Sequence, residues 1–273
     1  MTKTLQDLRS SIDDIDRKIH SLLVERANVV AAIGKVKSLS TNNPSQGNLR
    51  LDRECEIIKT RIREHKGQFP VNSLIRIWRE IISASLRIEG DFTIAAHARK
   101  SFASFPFFKG VYDYFGSYTD VRVYSSPSAA MKAVKTGKAA VAVLPFPSGD
   151  KPWWTAAVPL KIALRLPITG DKTVLSSGAF VLTKDVCRYS NDDISVIRVF
   201  SSLSVAELRR SFASFGMVGA VCENDCPVKE FRCRCRLFTV PGRAFSNDGE
   251  IRKFAETAGI IKAEVLGWYP ILK

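Results

Sequence analysis

The sequence predicts an α + α/β chain, with three helices over residues 1–90 and an α/β part over residues 91–273. Three observations carry this. Leu5, Leu8, Ile12, Ile15, Ile19 and Leu22 recur at alternating steps of three and four, the period of a helix that packs along one seam. Around Gly90 that pattern gives way to short β-like runs. Helical stretches separate several of those runs, the alternation of an α/β fold. The length suits one large or two ordinary domains, and 45% apolar content supports a packed core.

The first helix runs from about Thr4 to about Ser38, roughly 50 Å at 1.5 Å per residue. Such a length suits a helix that packs against another chain. Its seam is broken once, at Arg26, before Val29, Ile33 and Val36 resume it. A guanidinium in an apolar seam keeps its proton and needs an anionic or hydrogen-bonding partner. No seam position on this helix is a carboxylate, which points to a bound anion. Arg26 and Lys37 are 11 residues apart, almost three whole turns, and share a face. Arg9 lies 17 residues before Arg26, about 25 Å along the axis and about 100° around it. It could serve the same kind of site only in a second subunit, through antiparallel pairing of two first helices.

A polar loop at Ser40–Asn48 leads to a second helix from Leu51 to Lys66, stopped by Gly67. Arg53 and Glu54 sit in its first turn, where Glu54 suits either capping or a functional role. Pro70 precedes a third helix, Val71–Glu89, ended by Gly90. Its apolar stripe of Leu74, Trp78, Ile81 and Ile82 continues to Ser85 and Glu89, so polar groups extend an apolar face. No nucleophile stands beside a base, and His20, His65 and His97 have no catalytic company. Several cations without a nucleophile suit gripping and electrostatic stabilisation rather than covalent chemistry.

Strands are expected at Phe92–Ala96, Val121–Tyr124, Ala139–Leu144, Leu160–Leu166, Ala179–Leu182, Val196–Phe200, Val218–Cys222 and Arg236–Val240. Helices are expected at Pro127–Thr136, Val205–Phe215 and Asp248–Ala258. Net charge is +14, of which residues 1–90 carry +5. It favours an anionic partner without naming one, and no nucleic-acid motif is recognised. No run reaches the ~18 apolar residues of a membrane span, and the N-terminus does not read as a signal peptide. The expected location is the cytoplasm. Cys222, Cys226, Cys233 and Cys235 lack paired zinc spacing. With Cys55 and Cys187 they read as reduced thiols, and no metal is expected. Trp153 and Trp154 read as half core, half surface rather than as a ligand site.

The segments Leu5–Arg9 (L-x-x-L-R), Ile12–Asp16, Leu22–Arg26, Ile33–Lys37, Asp52–Glu54 and Trp78–Ser85 resemble the all-helical class of chorismate mutase. The resemblance covers about the first 90 residues. It implies an intertwined homodimer that converts chorismate, a small dianion, to prephenate by a Claisen rearrangement. No cofactor is implied, and the setting is phenylalanine and tyrosine biosynthesis. Carried over, Arg26 grips a substrate carboxylate and Arg9 reaches the partner subunit's site. Arg53 adds a third guanidinium. Lys37 donates to the ether oxygen, Glu54 accepts from the substrate hydroxyl, and Ser85 orients the ring carboxylate. Three departures stand out: a longer loop between Lys37 and Arg53, Arg50 where some members carry aspartate, and Glu89 in place of a glutamine that donates to the ether oxygen. Only a neutral Glu89 can donate, so turnover is expected to decline as Glu89 ionises.

Phe92–Ala96, Ser128–Thr136 and Ala139–Pro145 are similar to prephenate dehydratase, a two-lobed α/β fold like periplasmic binding proteins. Phe146-Pro147-Ser148-Gly149 replaces that family's Glu-Asn-Ser run, and its Thr-Arg-Phe motif is missing. The resemblance thus implies a degenerate, non-catalytic relative. Dimer stabilisation, binding of a regulatory small molecule and scaffolding stay open as its role. A bifunctional mutase–dehydratase and a non-enzymatic, basic helical-dimer binding module are the alternative readings of the whole chain.

Overall fold

The computed structural model describes residues 4–40, 49–98, 104–146, 153–155, 158–168, 178–184, 192–228, 233–245 and 247–271. The polar segment 41–48, Cys187 and residues 147–149 lie outside them.

Three helices come first: α1 (Leu5–Ser40), α2 (Leu51–Glu64) and α3 (Val71–Glu89). In α1 the seam from Leu5 to Leu22 leaves each apolar residue 47–65% exposed. Only the later turns of α1 meet α3, where Val30 is buried. The approach is backbone to backbone at Gly34, where a Cβ would stand 3.2 Å from the Glu89 Cα. The buried stripe of α3 is Arg79, Ile82, Ser83 and Leu86, joined by Ser85. It is rotated from the stripe expected, because α4 covers a second face of the helix.

The α/β part holds β1 (Thr93–Ala96), α4 (Ser104–Phe115), β2 (Asp120–Val123), α5 (Pro127–Lys135) and β3 (Val141–Pro145). A 3-10 turn at Trp153–Thr155 precedes β4 (Lys161–Leu166) and β5 (Ala179–Thr183). Then follow β6 (Asp193–Ser201), α6 (Val205–Ser214), β7 (Val221–Val228), β8 (Cys233–Pro241), α7 (Asp248–Thr257) and β9 (Lys262–Pro270). Among the described residues the nine strands form one sheet, in the order β2-β1-β3-β5-β4-β9-β6-β8-β7. The two lobes expected are therefore two halves of a single sheet. The first opens with parallel β2-β1-β3 pairing through α4 and α5. The second, β6-α6-β7-β8-α7-β9, is a split βαβ arrangement. They join where β4 pairs with β9 at Ile162 and Gly267. Gly267 has φ +146°, and a Cβ there would overlap the Ile162 backbone, so the join requires glycine.

Two elements lie outside the expected set, and β7 begins at Val221 rather than Val218, after the positive-φ Gly219. Helix α4 contains Pro106 and Gly110, which hide it from propensity, although proline is tolerated in a first turn. Strand β9 is interrupted by Gly267, whose kink breaks the alternation. Trp153 and Trp154 are both buried, so neither half-surface packing nor an open ligand wall describes them. Trp153 Nε1 donates to the Pro145 carbonyl at 2.9 Å. The five described cysteines are free, and Cys226 faces Cys235 across β7 and β8.

One core cluster bears directly on the site. Leu51 of α2 and Leu86 of α3 pack with Phe92, Val111, Tyr114, Phe115, Val143 and Leu164. The helical and α/β parts thus share a hydrophobic core.

Candidate active site

The later turns of α1 and the end of α3 bring four of the expected residues together. Arg26, half-buried, donates from Nη1 to Ser85 Oγ and, at 3.5 Å, to the Ile81 carbonyl. Ser85 Oγ in turn donates to the Ile81 carbonyl at 2.7 Å. Both partners of Arg26 are neutral, and among the described residues no carboxylate lies within ion-pair distance of it. Burial pulls the Arg26 pKa below its ordinary value; Glu89 acts the other way, and Arg53 adds repulsion. Three turns on, Lys37 Nζ meets Glu89 Oε2 at 2.6 Å. The two groups expected to meet the same ether oxygen therefore have their heads at one point. Arg53, at the start of α2, is exposed but within electrostatic reach of Arg26.

Two expected residues stand apart. Arg9 is exposed on the projecting stretch of α1. Glu54 is 6% exposed, and its Oε2 faces Arg79 Nη1 at 3.4 Å and the Tyr114 hydroxyl at 3.3 Å. Its Oε1 is buried with no hydrogen-bond partner among the described residues. Burial pushes the Glu54 pKa from 4.5 up to about 7, against the pull of Arg79 and Tyr114, while Asp52 and Glu89 push it further up. A simple capping charge would be solvated, so the capping alternative does not describe Glu54. Arg50 binds Asp52 through Nε at 3.2 Å and Nη2 at 3.1 Å.

Sequence reasoning missed Arg79 and Tyr114. Arg79 carried a signal: it stands three residues before Ile82 and seven before Leu86, a charge inside an apolar helical stripe. Tyr114 carried none, because its contact with Glu54 spans 60 residues of chain.

Arg26 with its neutral partners, the Ser85 hydroxyl and the Lys37–Glu89 pair lie where α1 meets α3, with Arg53 within electrostatic reach of Arg26. Residues 8–90 match the family model for chorismate mutase type II. The matched stretch holds all seven site residues and none of the sheet. Over 98 residues the chain is 40% identical to a bifunctional chorismate mutase/prephenate dehydratase of Aquifex aeolicus, covering 33% of this chain and 25% of that protein. The chain thus spans about a quarter of the length of the curated relatives it matches. Among solved structures, a quorum quenching acylase, GqqA, overlaps 67% of this chain and 97% of its own, at 13% identity and a TM-score of 0.47. A prephenate dehydratase from Streptococcus mutans overlaps 65% of this chain and 97% of its own, at 13% identity and a TM-score of 0.41. The chorismate mutase type II match is confined to the three helices, so it bears on the α1–α3 face and leaves the sheet unassigned. Among the described residues no helix is long and apolar enough to cross a membrane, and no group of side chains is arranged to hold a metal ion.

Proposed function

We propose that this chain is a chorismate mutase, with residues 1–90 as the catalytic domain and 91–273 as a non-catalytic α/β domain. The observation that carries the reading is Arg26: a half-buried cation that, among the described residues, hydrogen-bonds only to Ser85 and a backbone carbonyl, with Lys37 on the same helix face. A visiting dicarboxylate completes its coordination. The rearrangement breaks the ether C–O bond as a new C–C bond forms, with no proton or electron gained or lost overall. The site therefore has to hold the substrate in a compact conformation and stabilise charge building on the ether oxygen.

In this reading Arg26 grips one substrate carboxylate, Arg53 adds a third guanidinium near the ring, and Ser85 orients the ring carboxylate. Lys37 donates to the ether oxygen. Glu89 adds a second donor there when protonated, its Lys37 contact then opening around the substrate. Glu54 accepts from the substrate hydroxyl. Arg9 serves the partner subunit, which follows if two α1 helices pair antiparallel and bury the exposed seam. The location that goes with this reading is the cytoplasm. The α/β domain lacks the dehydratase motifs, so prephenate is the end product.

The test is incubation of purified protein with chorismate, with product identification. Accumulating prephenate supports the reading. Phenylpyruvate would replace it with the bifunctional alternative, and unchanged chorismate would overturn it.

A further inference from the structure

The face of α2 that carries Glu54 is closed by α4, an element of the α/β part and not of the three mutase-type helices. Tyr114 of α4 is buried in the shared core, and its hydroxyl donates to Glu54 Oε2 at 3.3 Å. The Arg79 guanidinium lies 3.8 Å from the centre of the Tyr114 ring and reaches the same carboxylate oxygen at 3.4 Å. Residues flanking Tyr114 pin α4 to α3. Ser83 Oγ donates to the Phe115 carbonyl, and the Ser117 N–H donates to Glu80 Oε1 at 2.9 Å. One carboxylate oxygen is thus held by two donors, while Oε1 is buried without a partner among the described residues.

We propose that Tyr114, with Arg79, is a positioning residue for the mutase site: the α/β domain holds Glu54 by one oxygen and leaves the other to accept the hydroxyl of the substrate. This rests on the mutase reading for the identity of the ligand. It also gives residues 91–273 a task in the reaction without chemistry of their own. The hydroxyl of Tyr114 favours the ionised form of Glu54, the stronger acceptor. The ionisable groups acting on Glu54 are Asp52 and Cys55 of α2, Arg79 and Glu89 of α3, and Tyr114 of α4. Of these, Tyr114 alone comes from beyond the mutase-type segment.

Tyr114→Phe keeps the ring and its packing and removes only the donor. Two readouts on the full-length protein follow. In carboxyl-13C-glutamate NMR, with the Glu54 signal assigned through Glu54→Gln, the titration of Glu54 moves up by about one pH unit. In chorismate kinetics near neutral pH, KM rises about threefold to tenfold with kcat little changed, and the rise vanishes at alkaline pH where Glu54 is ionised in both proteins. A packing defect would not be repaired by pH. An unmoved Glu54 titration, or a KM rise equal at every pH, overturns the positioning role while the mutase reading stands. Absence of chorismate turnover in the wild type overturns both.

Discussion

Residues Leu5 to Leu22 of α1 present six apolar side chains that are each about half exposed, between 47 and 65%. Completing the burial of a Leu or Ile that is half exposed stabilises by about 1 kcal/mol, half the value for a full transfer. Two copies of the seam closed on each other contribute about 12 kcal/mol, comparable with the ~4–15 kcal/mol lost on association. Contacts outside the seam, including Val29, Ile33 and Val36, add to the favourable side. The chain is therefore expected to be dimeric at micromolar concentration. Ile15→Glu, at mid-seam, places a carboxylate in the apolar interface once per subunit. At several kcal/mol per buried ion, the dissociation constant should rise at least ~10³-fold. Sedimentation velocity on wild type and variant over a fifty-fold concentration range reads this directly. A wild-type monomer at tens of micromolar, or an Ile15→Glu protein that stays dimeric, would refute the reasoning.

Further outcomes follow from the site. Arg9→Ala and Arg26→Ala homodimers should both be inactive, and mixing them should restore activity as heterodimers form with one intact site; verified exchange without recovery counts against the shared site. Glu89→Gln replaces the partner of Lys37 by a permanent donor, so turnover should fall with rising pH in the wild type and stay level in the variant; level profiles in both rule out a neutral, donating Glu89. Glu54 titrates near 7 in the folded chain against an ordinary 4.5, so its protonated form is favoured by folding. Stability from this group is complete below about pH 4.5 and is lost as pH rises through about 7, roughly 3 kcal/mol in all. Urea unfolding of Glu54→Gln should remove that slope, and identical slopes in both proteins would contradict the burial effect.

Much of the helical part was legible because a single apolar period, broken by one arginine, encodes both the helix and its unusual residue. Helical arithmetic put Arg26 with Lys37 on one face of α1 and Ser85 with Glu89 on one stripe of α3, and the structure joins those faces through the Arg26–Ser85 and Lys37–Glu89 contacts. What was not legible depends on contacts distant in sequence. Helix α4 hides behind Pro106 and Gly110, and with it the hydroxyl that holds Glu54. The single sheet could not be read from strand patterns, because it is closed at one glycine, Gly267, whose missing Cβ admits the Ile162 backbone. The split βαβ half escaped for the same reason, since β9 is its last strand.

The central claim is that Arg26 awaits the carboxylate of a visiting dianion. The most direct measurement is kcat/KM for chorismate in wild type and Arg26→Ala, with prephenate followed as product. Removing one partner from a desolvated, hydrogen-bonded charge pair costs about 3–5 kcal/mol, a loss of roughly 10²- to 10³-fold or more. Such a loss, with the variant folded and dimeric, is the expected result. Undiminished turnover in Arg26→Ala would contradict the claim.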